Sequence, residues 1–125
     1  MSSEPMPPVA VTQQKDIRIV EFTNNKILDE ANIAEIKNTL FAMIDEEDQP
    51  KMVLDFGNVD HLSSAALGAL IDANNRIKQK HGQLRLVNIK PQIFEVFVIT
   101  KLNRLLKILP SRDEALASMS SPAQP

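Results

Sequence analysis

The chain has 125 residues, with 14 Lys and Arg against 16 Asp and Glu, two His, and no Cys, Trp or Tyr. This length suits one self-sufficient domain, and the missing cysteines exclude disulfides, thiol catalysis and thiolate-bound zinc or iron–sulfur, which fits a reducing compartment. A net charge of −2 with Phe as the sole aromatic type offers neither the basic surface nor the stacking platforms of direct nucleic-acid binding, and no charge for an anionic membrane.

Five of the eight prolines (Pro5, Pro7, Pro8, Pro122 and Pro125) sit at the chain ends among Ser, Ala and Gln. Such stretches bury too little apolar area to offset ordering, so 1–8 and 118–125 are expected to be flexible tails around a domain at 9–117. The N-terminus lacks a basic stretch followed by an apolar one, and no run reaches the roughly 18 apolar residues of a membrane span. Neither a signal peptide nor a membrane segment is expected, and a cytoplasmic location is.

Ile17 to Phe22 is short and β-branched, with Ile17 and Ile19 on one face and Val20 and Phe22 on the other, which predicts a strand. Val9 to Thr12 reads as a weaker strand beside it. Asn24-Asn25 breaks the pattern. From Asp29 to Asp45 the period becomes helical, with Ile33, Ile36, Leu40 and Ile44 on one face. Asn32 with Glu35 forms a possible capping box, or Asp29 caps an earlier start. Pro50 ends that segment.

Lys51 to Phe56 is an almost continuous apolar run and predicts a central strand covered on both faces. After Ser63 a second helix follows, with Ala66, Leu67, Leu70, Ile71, Asn74 and Ile77 on one face and Gly82 suited to a left-handed C-cap. Gln83 to Val87 alternates as a strand. Pro91 opens a third helix carrying Ile93, Phe94, Phe97 and Val98. Leu106 to Leu109 predicts a last short strand. Ser111, with Glu114 three residues on, opens a final helix. Strands separated by helices require crossovers, so the fold class is α/β: a mixed, mostly parallel sheet of four or five strands with about four helices.

One stretch stands apart, from Val53 to Ile71. It runs from the central strand through a short loop to Ser63-Ser64 and into a helix whose first turns are crowded with Ala65, Ala66, Gly68 and Ala69. Small residues allow close approach of another surface. Serines at this point meet unpaired backbone N–H groups and the positive end of the helix dipole, which would solvate a phosphate well. The same serines can equally be simple N-caps.

This segment resembles the motif of the STAS domain in the bacterial anti-sigma factor antagonist family: a buried strand ending in Asp or Asn, apolar spacers, then a Ser-Ser-Ala-Gly-Leu-like run opening a helix. Asp55 matches the acid, Val59 and Leu62 the spacers, and Ser63-Ser64-Ala65-Ala66-Leu67-Gly68 the motif itself. The element order agrees over about the whole domain. The resemblance implies a STAS-like fold and a non-enzymatic regulator, with no cofactor and no metal. It implies that Ser64 is phosphorylated by a cognate anti-sigma factor with serine kinase activity, that phosphorylation switches binding off, and that a PP2C-type phosphatase resets the switch. The partner face implied comprises Asp29, Asp55, Leu62, Ser63, Ser64, Ala65, Ala66, Leu67 and Gly68, on a monomer or weak dimer. Two positions depart from the pattern: Ala66 replaces a usual Gly, and in the segment from Phe22 to Asn32 only Asp29 matches clearly.

Rival readings follow from the same residues. The chain could be a STAS scaffold subunit of a larger signalling assembly. A small α/β enzyme using His61 and Asp55 is a third possibility, but no nucleophile–base–orienter set is visible. His61 and His81 lack further ligands at metal-binding spacing, and Asp45 to Asp48 reads as a solvated helix end.

Overall fold

The structure is a computed structural model that describes residues 9–23, 26–27 and 30–120. The expected tail at 1–8, residues 121–125 of the expected tail at 118–125, and the position of Asp29 lie outside these residues.

β1 (Val9–Gln14) and β2 (Ile17–Phe22) form an antiparallel hairpin whose turn places Lys15 at φ 58°. β3 (Lys26–Ile27) leads to α1 (Glu30–Asp45), and β4 (Lys51–Asp55) follows. β5 (His61–Leu62) precedes α2 (Ser64–Gln79), β6 (Gln83–Val87) and α3 (Pro91–Ile99). A 3₁₀ turn (Leu102–Arg104), β7 (Ile108–Leu109) and α4 (Arg112–Ser120) complete the described chain.

The sheet order is β1-β2-β4-β6-β7, antiparallel only at β1–β2. This is the expected mixed, mostly parallel sheet, with β4 at its centre. Strand alternation divides the core between the two faces. Val20, Phe22, Met52, Leu54, Leu84 and Leu86 point into a large cluster with α1, α2 and α3. Ile17, Ile19, Val53 and Val87 point the other way, onto Ala115 and Met119 of α4.

Several sequence expectations need correction. α1 begins at Glu30, so Asn32 lies inside the helix and the Asn32–Glu35 capping box does not form. His81, not Gly82, takes the left-handed conformation after α2, at φ 60°. Gly82 is required for another reason: a Cβ there would stand 2.2 Å from the Pro50 carbonyl oxygen. On α2, Ala69 and Ala73 are buried, while Ile71 is only half-buried. On α3, Ile93 and Phe97 are buried but Phe94 and Val98 are exposed. The last strand is shorter than Leu106–Leu109, because a 3₁₀ turn opened by a left-handed Lys101 carries the chain up to it. α4 runs past residue 117, and Met119 is fully buried. Ser111 caps α4 as expected, accepting from the Glu114 N–H at 3.3 Å.

Candidate functional site

The C-terminal ends of the parallel strands carry the segment singled out in the sequence. β4 ends in Asp55, whose side chain is only 6% exposed. Its Oδ1 accepts the Gly57 N–H at 2.8 Å; its Oδ2 accepts from Asn88 Nδ2 at 3.1 Å and from Arg112 Nε at 2.5 Å. A buried carboxylate is tolerated only when its lone pairs are satisfied in this way. One group thus ties the end of β4 to the loop after β6 and to the first turn of α4. Arg112 reaches on to Glu21 at 3.4 Å, and Asn58 Nδ2 donates to Glu21 and to the Phe22 carbonyl.

Beyond Asp55 the loop is pinned by apolar residues. Phe56 and Val59 are fully buried. The Phe56 ring meets Phe22 at 4.9 Å and Phe97 at 6.4 Å between centroids. Asp60 pairs with Lys90. β5 then lies parallel to β3, Lys26 opposite His61 and Ile27 opposite Leu62, and the Ser63 N–H donates to the Ile27 carbonyl at 3.1 Å. This two-residue pair sets the entry angle of α2.

The two serines at that entry have different tasks. Ser63 is the N-cap, extended at φ −85° and ψ 167°, and its Oγ accepts the Ala66 N–H at 3.2 Å. Ser64 is the first helical residue and is exposed. Its N–H and that of Ala65 are first-turn donors with no intrahelical acceptor. The hydroxyl available at the surface is therefore that of Ser64.

The remaining expected partner-face residues divide by burial. Ala65 is exposed, and Leu62 and Gly68 are half-buried. Asp55, Ala66 and Leu67 are 4%, 4% and 7% exposed, so they lie beneath the surface and not on it. Ala66 sits in regular helix, which any Cβ accepts. Ala65, Gly68 and Asp72 of α2 line a groove of about 390 Å³ with Glu30, Ala34 and Lys37 of α1, bridged by a Lys37–Asp72 ion pair at 3.1 Å.

His61 is exposed and is not among the partners of Asp55, so the two form no acid–base pair. Among the described residues no group of three or more His, Asp or Glu is placed to hold a metal ion, and no helix is long and apolar enough to cross a membrane. Titration is displaced elsewhere: the Lys51 hydrogen bond holds the Asp16 carboxyl below its ordinary range, and burial pushes the Arg85 guanidinium down. The sequence reading missed Asn88, Arg112 and the β3–β5 pair. Asn88 and Arg112 lie far from Asp55 in sequence, and a two-residue strand carries no periodicity.

A STAS domain family model matches residues 8–115. BtrV of Bordetella bronchiseptica, assigned by its name to the anti-sigma factor antagonists, is 30% identical over 95 residues, covering 76% of this chain and 81% of that protein. A STAS domain anti-sigma factor antagonist from Planctomyces limnophilus superposes with a TM-score of 0.80 at 22% identity, over 90% of this chain and 98% of that one. The anti-sigma factor antagonist SpoIIAA superposes in its unphosphorylated form with a TM-score of 0.67 at 13% identity, over 88% of this chain and 94% of that one. The phosphorylated form of SpoIIAA, from Bacillus, gives 0.66 at 13% identity, over 88% and 97%.

Proposed function

The chain belongs to the STAS domain family, among the anti-sigma factor antagonists, and from that premise we propose that it binds a cognate anti-sigma factor with serine kinase activity and is released when Ser64 is phosphorylated. The observation that carries this reading is the division of labour between the serines. Ser63 Oγ is committed to the Ala66 N–H, whereas Ser64 is exposed at the first turn. A phosphate there adds about −1.5 to −2 charges beside first-turn N–H donors and the positive end of the helix dipole. The domain tolerates it without refolding, and its effect falls on the partner through charge and bulk. SpoIIAA, known in unphosphorylated and phosphorylated forms, supports such a switch. The chain itself performs no chemistry: the nucleotide belongs to the kinase, and a PP2C-type phosphatase restores the serine.

The test is to incubate the protein with the kinase-like anti-sigma factor encoded nearest to it and ATP, then locate phosphate by mass spectrometry. Ser64→Ala should abolish labelling and keep binding. Ser63→Ala should cost roughly 1 kcal/mol of stability through the lost cap and keep labelling. Undiminished labelling of Ser64→Ala would overturn the site.

A further inference from the structure

A second groove lies at the end of α2 remote from Ser64, bounded by the last turns of α2, the start of β6 and the segment from the 3₁₀ turn to β7; its volume is about 330 Å³. No acidic residue lines it. Lys78, Arg104 and Lys107 do, all three exposed, and none joins an ion pair among the described residues. Arg85 also borders the groove, but its guanidinium is spent on Ser118 and Gln83. Three unpaired cations around one hollow repel one another, and they do so in a chain whose net charge is −2.

Asn74 is the second observation. It lines the same groove, is 5% exposed, and its Nδ2 has no hydrogen-bond partner among the described residues. A buried donor left unpaired bears the full loss of its hydration. Asn is also a poorer helix former than Ala or Leu, and its buried neighbours on α2 are Leu70, Ala73 and Ile77. No partner among the described residues accounts for an amide at this place, whereas an acceptor entering the groove would, once the amide turns its Nδ2 toward it.

We infer that this groove is a binding site for a small organic anion, a carboxylate or phosphate monoester on a short apolar body. The three cations and the Asn74 amide receive the head, and Ile77 and Leu106 supply apolar wall. The volume is at the lower end of small-molecule sites. Its α2 residues, Asn74 to Lys78, lie 10 to 14 residues past Ser64, or about 15–21 Å along the helix, so the site does not depend on the phosphorylation switch.

Titration of the ¹⁵N-labelled full chain with hexanoate and with hexyl phosphate, each against sodium chloride at matched ionic strength, tests the inference. Saturable amide shifts at 74–78 and 103–107 with either probe support it, and the tighter probe names the head group. Lys78→Gln/Arg104→Gln/Lys107→Gln, which changes only exposed side chains, should weaken binding at least about tenfold. Asn74→Leu should weaken it as well, and Ser64→Ala should leave it unchanged. The inference is overturned if neither probe saturates by about 10 mM, or if the charge-neutral triple variant binds as tightly as the parent.

Discussion

Gly68 offers a sharp test of the partner face. It lies inside α2, where glycine costs about 1 kcal/mol relative to alanine through backbone entropy. Two intramolecular reasons for keeping it are absent. No described glycine has positive φ, and a Cβ built at position 68 meets nothing within 4 Å. Gly68→Ala should therefore stabilise the isolated domain by about 1 kcal/mol, raising the midpoint of thermal unfolding by roughly 4 °C for a domain of this size. Calorimetry or circular dichroism would read it. On the proposed reading, the glycine serves a surface that comes from outside, along the groove shared with Ala65 and Asp72. Gly68→Leu should then leave the fold intact but weaken binding of the anti-sigma factor at least about tenfold, by overpacking a close contact. If Gly68→Ala fails to stabilise, the open space beside the helix has been misjudged. If Gly68→Leu binds like the parent, this side of α2 is not the docking face.

Two further predictions concern the frame behind that face. Arg112→Met removes one of three donors to a carboxylate that is 6% exposed, and should cost about 2 kcal/mol in urea unfolding; a double-mutant cycle with Asp55→Asn should show coupling between the two positions. Gly82→Ala places a Cβ on the Pro50 carbonyl and should destabilise by about 1–3 kcal/mol, whereas His81→Gly relieves a left-handed φ of 60° and should stabilise by roughly 1 kcal/mol.

What was legible in the sequence was whatever repeats. Ile33, Ile36, Leu40 and Ile44 mark a helix face by spacing, and all four are buried. The apolar run from Lys51 became the central strand because a strand paired on both sides and covered on both faces needs no polar alternation. The order of elements followed. Features that depend on a single contact were not legible. The glycine after α2 suggested a left-handed cap, but the nearby Pro50 carbonyl, brought there by β4 pairing with β6, decides what position 82 can hold. Phe94 and Val98 fit a helical stripe yet remain exposed, because α3 buries only the narrow side that carries Ile93 and Phe97. At the site, the Ser63-Ser64 pair was visible as a motif, but which hydroxyl is free was not. That depends on where the helix starts, and the helix starts where the Ser63 N–H meets Ile27 on a strand of two residues.

That last contact bears on how a switch here can work. If Ser64 capped α2, phosphorylating it would remove the cap and fray the helix, and the small-residue face would be lost with it. Because Ser63 is the cap and β3 fixes Ser63, a group added to Ser64 finds a helix already held. Its dianion meets free first-turn donors, which favour negative charge. The domain thus has little reason to change shape on phosphorylation. On the proposed reading, the free energy of the switch then lies in the interface: in the charge and bulk presented to a partner approaching Ala65 and Gly68. A circular dichroism spectrum and unfolding midpoint of Ser64→Glu close to those of the parent, together with weakened binding of the anti-sigma factor, would bear this out. A Ser64→Glu protein that loses helix or unfolds several degrees earlier would show that the switch acts through the fold instead.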